Sequence, residues 1–169
     1  MHPILKRLTG GTRRSLGRTN EVVTEVLVRP ALFRHLFAGL TSDDEVLRMR
    51  AADAIEKISI PRPDLLIPFK KSFLAIANRT QQQELRWHAA LILPRLQLTA
   101  TERATTIEIL FDYLRDPSSI VKTLTMQGLA DLAASDPKLK SQIRPLLEEL
   151  TQIGTPAMRA RGRKLLRKF

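Results

Sequence analysis

The apolar residues of this chain recur at helical spacing, and one arrangement of them returns four times. In its clearest instance Val121, Leu124, Gly128, Leu129 and Leu132 fall on one helical face. Asp116 and Pro117 precede it. An Asp can cap a helix, and Pro suits the first helical position, where a missing N–H costs nothing. An apolar anchor followed by a cation marks each copy: Leu47-Arg48, Leu85-Arg86, Val121-Lys122 and Met158-Arg159, spaced 36 to 38 residues apart. Four positions after the anchor stand Ala51, Ala89, Thr125 and Gly162. Eight after it stand Ile55, Leu93, Leu129 and Leu166, and eleven after it Ile58, Leu96, Leu132 and Phe169. One helical face is thus specified four times, with a small residue where another helix must come close. A second apolar segment precedes each anchor, as in Leu36, Phe37 and Leu40, or Leu110, Phe111 and Leu114. The unit is a helix pair of about 37 residues. One pair cannot bury its apolar face alone, so the pairs must stack.

The repeats run over about 20–59, 60–98, 99–135 and 136–169, following a tail over residues 1–18. Ser42 with Glu45, Thr80 with Gln83 and Thr99 with Glu102 have the spacing of capping boxes. Asp64 is a further expected cap. Pro30 and Pro145 should interrupt first helices, because each removes a backbone donor. Pro94 should bend or end the second helix of repeat two. The tail carries Lys6, Arg7, Arg13, Arg14 and Arg18 with no acid. Gly10-Gly11 breaks any helix there, so a flexible basic leader is expected, with a short turn at Ile4, Leu5 and Leu8.

These residues carry a resemblance to a known repeat. Asp116-Pro117, Val121-Lys122 and Gly128-Leu129 look like a HEAT repeat, and Leu47 to Ile55 (LRMRAADAI) fits nearly as well. Only the third repeat keeps the Asp between its helices; Ser42 and Thr80 stand at or near that place in the first two. The resemblance covers roughly residues 19–169. It implies an all-α fold, an α-solenoid forming a right-handed superhelix of about four stacked HEAT-like helical hairpins. It implies partner binding and no chemistry. Some HEAT-like proteins are alkylpurine DNA glycosylases, which use aromatics and an Asp in the concave groove. Trp87 and Asp53 are what this chain could offer for that, from different repeats, and the resemblance does not extend so far.

Composition narrows the function. Apolar residues make up 43% of the chain and aromatic ones 5%, so aliphatic side chains must fill the core. The absence of Cys excludes disulfides and thiolate metal sites. No apolar run approaches a membrane span, and the N-terminus lacks a signal-peptide core. His2, His35 and His88 lack a metal-ligand spacing. Asp43-Asp44 and Glu148-Glu149 read as helix caps and solvated faces. The expectation is a monomeric, cytoplasmic, non-enzymatic protein without catalytic, cofactor-binding or metal-ligating residues.

The formal net charge is +11. The last helix holds Arg159, Arg161, Arg163, Lys164, Arg167 and Lys168 with no acid. In a HEAT-like solenoid the second helices line the concave face, so Arg48, Arg86, Lys122 and Arg159 would form a row across it. Two readings follow. The first is an interaction scaffold presenting a concave, partly basic surface to a protein partner. The second is a nucleic-acid-binding module using the row, the tail and the last helix. The candidate binding residues are Arg48, Arg86, Trp87, Lys122, Arg159, Arg163, Lys164 and Arg167. Against this stands a structural role, in which each cation after an anchor bonds carbonyls or an acid nearby. Trp87 is either a partner hot spot or stacking platform, or packing between second helices.

Overall fold

A computed structural model describes residues 1–12 and 14–169. Arg13, one of the five tail cations, lies outside the described residues. The fold is all-α: 76% of the chain is helical, with no strand among the described residues. None of these helices is long and apolar enough to cross a membrane. The chain divides into two compact units. Residues 1–89 and 95–97 form the first, and residues 90–94 and 98–169 the second.

The first unit contains α1 (Pro3–Lys6), α2 (Thr19–Val28), α3 (Phe33–Ala38), α4 (Glu45–Ser59) and α5 (Lys70–Arg79). It also holds most of α6 (Gln83–Ile92). Pro30 opens a 3-10 turn that separates α2 from α3, as its missing donor requires. Ser42 does not cap α4. Asp44 does, its Oδ1 accepting from the N–H of Val46 at 2.8 Å and of Leu47 at 3.2 Å, while Ser42 Oγ accepts from Asp44 N. Thr80 Oγ1 takes the Gln82 N–H, one residue short of the expected box. Asp64 caps nothing and pairs with Arg62. Leu47, Ala51, Ile55 and Ile58 are fully buried, with Leu36, Leu40, Leu66 and Phe73 beside them in the core.

The N-terminal segment differs from the loose leader that its charge and glycines suggest. Ile4 and Leu8 are buried, and Leu5 lies against Gly39 at the end of α3. Residues 8–10, Thr12 and Ser15 surround the guanidinium of Arg50, which projects from α4 and is 2% exposed. Arg50 Nη1 donates to the carbonyls of Leu8, Thr9 and Gly10 at 2.9, 3.2 and 2.7 Å. Its Nε donates to Ser15 O at 3.0 Å and its Nη2 to Thr12 O at 3.4 Å. The loop can curl this tightly because Gly10, Gly11 and Gly17 take positive φ. A Cβ on Gly17 would lie 2.9 Å from Arg50 Cζ.

The second unit contains α7 (Ala100–Tyr113), α8 (Ser119–Ala133), α9 (Pro137–Ile153) and α10 (Pro156–Leu166). Pro94 sits in the 3-10 turn that ends α6, as expected. The Thr99–Glu102 capping box is complete. The cap of α8 is Ser118 rather than Asp116; Asp116 Oδ1 accepts the Ser118 N–H at 2.8 Å and shapes the turn before the helix. Pro145 does not interrupt α9, which runs through it. Pro145 and Ser141 are both exposed, so water can take the Ser141 carbonyl that the proline leaves without a donor. Val121, Thr125, Leu129 and Leu132 are buried in α8, and Met158, Gly162 and Leu165 in α10. Leu166 and Phe169, the expected end of the last stripe, are only half-buried. The small positions mark close crossings. A Cβ on Gly162 would collide with Thr151 Oγ1 of α9, and one on Gly128 with the Ala90 carbonyl oxygen.

Candidate functional site

The cations that follow the apolar anchors divide into two kinds. Arg48 is half-buried. Its Nη1 donates to the Ser42 carbonyl at 2.6 Å and its Nε to Gln82 Oε1 at 2.8 Å, and Glu45 lies 3.9 Å from its Nη2. Arg86 is 7% exposed; its Nε donates to Thr80 O at 2.8 Å and its Nη2 to Gln81 Oε1 at 2.9 Å. Both fasten the turn before their own helix, so the structural role expected for such a cation accounts for them. Lys122 is half-buried and Arg159 exposed, and neither side chain has a hydrogen-bond or ion-pair partner among the described residues. Arg48 and Arg86 belong to the first unit, Lys122 and Arg159 to the second.

The basic face of α10 follows from its sequence. Thr155 caps it through the Met158 N–H, and Pro156 stands in its first turn. Met158, Gly162 and Leu165 point inward at helical spacing. That turns Arg159, Arg163, Lys164 and Arg167 outward, all exposed. Arg161 is the half-buried exception: its Nη1 donates to Gln127 Oε1 at 2.7 Å and ties α10 to α8. Arg163, Lys164 and Arg167 line an open cleft of about 430 Å³ with Thr123, Ala157, Ala160 and Arg161. Arg163 and Arg167 also border a second depression, beside Leu166. They therefore stand as a ridge between two hollows. Arg167 Nε reaches the Arg163 carbonyl at 3.3 Å, which leaves both terminal guanidinium nitrogens to solvent.

Trp87 is half-buried on α6, with its ring edge-on to His88 at 5.8 Å. His88 belongs to a polar cluster that the sequence order hides. Its Nδ1 lies 3.4 Å from Glu56 Oε2, while Arg95 Nη2 donates to Glu56 Oε1 at 3.1 Å. Asp53, one helical turn before Glu56, pairs with Lys57 at 2.8 Å. Asp53, Glu56 and His88 offer ligand atoms within 4.8 Å of one another. Two cations already balance the two carboxylates, and a divalent ion would have to displace Lys57 from Asp53. Burial pushes the Glu56 carboxyl up, but hydrogen bonds from His88 and Arg95 outweigh it and hold the group below its ordinary range. The cluster reads as a neutralised ion network. It also removes Asp53 as a candidate glycosylase carboxylate, since that side chain is 6% exposed and bonded to Lys57.

The sequence did carry a signal for these inward-reaching polar side chains. Arg50, His88 and Arg161 occupy the position three after the anchor, where repeat three places Leu124 on its apolar stripe. A polar side chain at such a position must find internal hydrogen-bond partners, and each of these does. No family model, no curated protein and no solved structure matches the chain.

Proposed function

We propose that this chain is a non-enzymatic interaction module, built as an α-solenoid of four HEAT-like helical pairs, that binds a macromolecular partner through the basic surface of its second unit. The recurrence of buried Leu47, Ala51 and Ile55 as Val121, Thr125 and Leu129 supports the repeat reading. The division among the cations carries the binding reading. Arg48, Arg50 and Arg86 are consumed by internal acceptors, whereas Arg159, Arg163 and Lys164 make no side-chain bond to any described residue. Exposed cations gathered on one helix without an acid raise the local concentration of an anionic partner. A monomer in the cytoplasm, without cofactor, belongs to the same reading. The test is a spectrum of the arginine Nε–H groups of the full chain, with polyglutamate and then duplex DNA added. Shifts at Arg159, Arg163 and Arg167 with either polyanion support the module. Shifts confined to Arg48 and Arg86, or none with either probe, refute it.

A further inference from the structure

Resting on that reading, we infer that the partner of α10 is the phosphate backbone of a nucleic-acid duplex, bound without regard to sequence. Four observations lead there. First, Arg159, Arg163 and Arg167 recur at i, i+4 and i+8 on the exposed side of α10, and Arg167 keeps right-handed helical dihedrals. At 1.5 Å rise per residue these guanidinium groups are based about 6 Å apart. A duplex strand carries one phosphate per 3.4 Å of axis and turns as it rises, so neighbouring phosphates lie roughly 6–7 Å apart, nearly the same separation.

Second, the helix dipole does not account for the pattern. A helix C-terminus favours cations, which suits Arg163, Lys164 and Arg167. Arg159 sits next to the first turn, where the dipole disfavours a cation, and it has no partner among the described residues. An external anion would supply what the helix does not.

Third, the exposed face of α10 lacks the anchors that protein partners use. Its exposed residues are Pro156, Ala157, Ala160 and the four cations; there is no aromatic side chain, and the large aliphatic one that reaches the face, Leu166, is half-buried. Protein interfaces concentrate their energy in Trp, Tyr and Arg packed into desolvated pockets and are depleted in Lys, whereas the arginines here stand exposed without an aromatic neighbour on the helix. Phosphate contacts need only charge and access. The cleft flanked by Thr123 and Arg161 gives that access beside Arg163 and Lys164.

Fourth, the face carries no aromatic stacking group, and its only base-reading groups are cations, which can reach guanine but read no other base. Single-strand binders stack bases on aromatic side chains, and α10 contains none. It contains no Asn or Gln either, the residues that read adenine in a bidentate way. Cations unaccompanied by amide or aromatic side chains suit backbone recognition, which positions a protein on a duplex without specifying sequence.

The experiment titrates the full chain into a fluorescently labelled mixed-sequence DNA duplex at several salt concentrations. Four contacts, from Arg159, Arg163, Lys164 and Arg167, predict a slope of log affinity against log salt of about −3.6. Arg163→Gln with Arg167→Gln should reduce it to about −1.8 and weaken binding roughly sixtyfold at about 0.1 M salt, since each contact contributes about 0.9 to the exponent. Arg163→Lys with Arg167→Lys should keep the slope, because a point charge suffices for a phosphate. Arg34→Gln with Lys71→Gln, an equal loss of exposed charge in the first unit, should leave it unchanged. An unaltered slope in the Gln pair, or an equal loss in the first-unit control, overturns the assignment to α10. Tighter binding of the single strand overturns the duplex assignment. Preference for polyglutamate over the duplex, lost in the Gln pair, overturns the nucleic-acid inference while leaving the interaction module standing. Failure to bind either polyanion removes both.

Discussion

Replacing Arg50 by Met should release the N-terminal segment from α4. The guanidinium spans acceptors from Leu8 to Ser15, and five carbonyls converge on it without a carboxylate partner among the described residues. Met fills much of the aliphatic stem but offers no donor. The carbonyls of Gly10, Thr12 and Ser15 belong to exposed residues, so water can replace most of what they lose. The Leu8 carbonyl is buried, and an orphaned buried acceptor costs about 1–3 kcal/mol. Loosening of the loop also weakens the hold on Ile4 and Leu8, whose complete burial contributes about 1.5–3 kcal/mol each. If half of that burial is lost, the total comes to about 2.5–6 kcal/mol, which spans the roughly 3–5 kcal/mol found when one partner of a buried charged contact is removed. Arg50→Lys should recover less than half of it. One ammonium cannot reach Leu8, Gly10 and Ser15 together, and it lacks the planar fork. Urea denaturation gives the stability change, and amide hydrogen exchange over residues 4–18 shows whether the segment has opened. A Met variant within about 0.5 kcal/mol of wild type would refute the reasoning, because surface changes cost no more than that. A Lys variant as stable as wild type would show that charge alone, and not the fork, holds the loop.

Gly162→Ala drives a Cβ into Thr151 Oγ1 at the α9–α10 crossing and should cost about 1–3 kcal/mol; an unchanged denaturation midpoint would mean the helices can part without penalty. Ala89 is 1% exposed, and Ala89→Leu should overpack its surroundings by a similar amount, read as a lower midpoint at constant m-value. The Glu56 carboxyl is depressed in the folded chain, so its contribution to stability is complete above the ordinary carboxyl value of 4.5 and is lost as pH falls through the folded value. The drop in melting temperature between neutral pH and pH below that value should shrink in Glu56→Gln; an unchanged drop would assign acid sensitivity to other carboxylates.

The helical stripes were legible because burial repeats with the helix. Leu47, Ile55, Val121 and Leu129 stand in the core as their spacing demands. Caps were legible only to within two residues. Ser42, Asp43 and Asp44 could each have capped α4, and the Asp44 carboxylate won the two N–H groups while Ser42 bonded back to Asp44. Pro145 misled because a proline's effect depends on whether its orphaned carbonyl faces water, which a linear sequence does not state. The packing of the N-terminal segment was not legible for a related reason. Its partners for Arg50 are backbone carbonyls 35 to 42 residues away, and every residue carries a carbonyl. Likewise Arg48 and Arg86 looked equivalent to Lys122 and Arg159, since the carbonyls and amides that engage the first two are anonymous in sequence. The basic face of α10 could be read directly, because a helix without acids has no counter-charge of its own to fold against.

Arginine footprinting with phenylglyoxal tests the central claim most directly, because the division of the cations into engaged and solvent-facing sets supports the proposed binding surface. In the full chain alone, Arg159, Arg163 and Arg167 should react rapidly while Arg50 and Arg86 react slowly. Adding duplex DNA at low salt should protect the first three and leave Arg34 as reactive as before. Rapid reaction of Arg50 and Arg86, or protection spread evenly over Arg34, Arg79 and Arg163, would contradict the account.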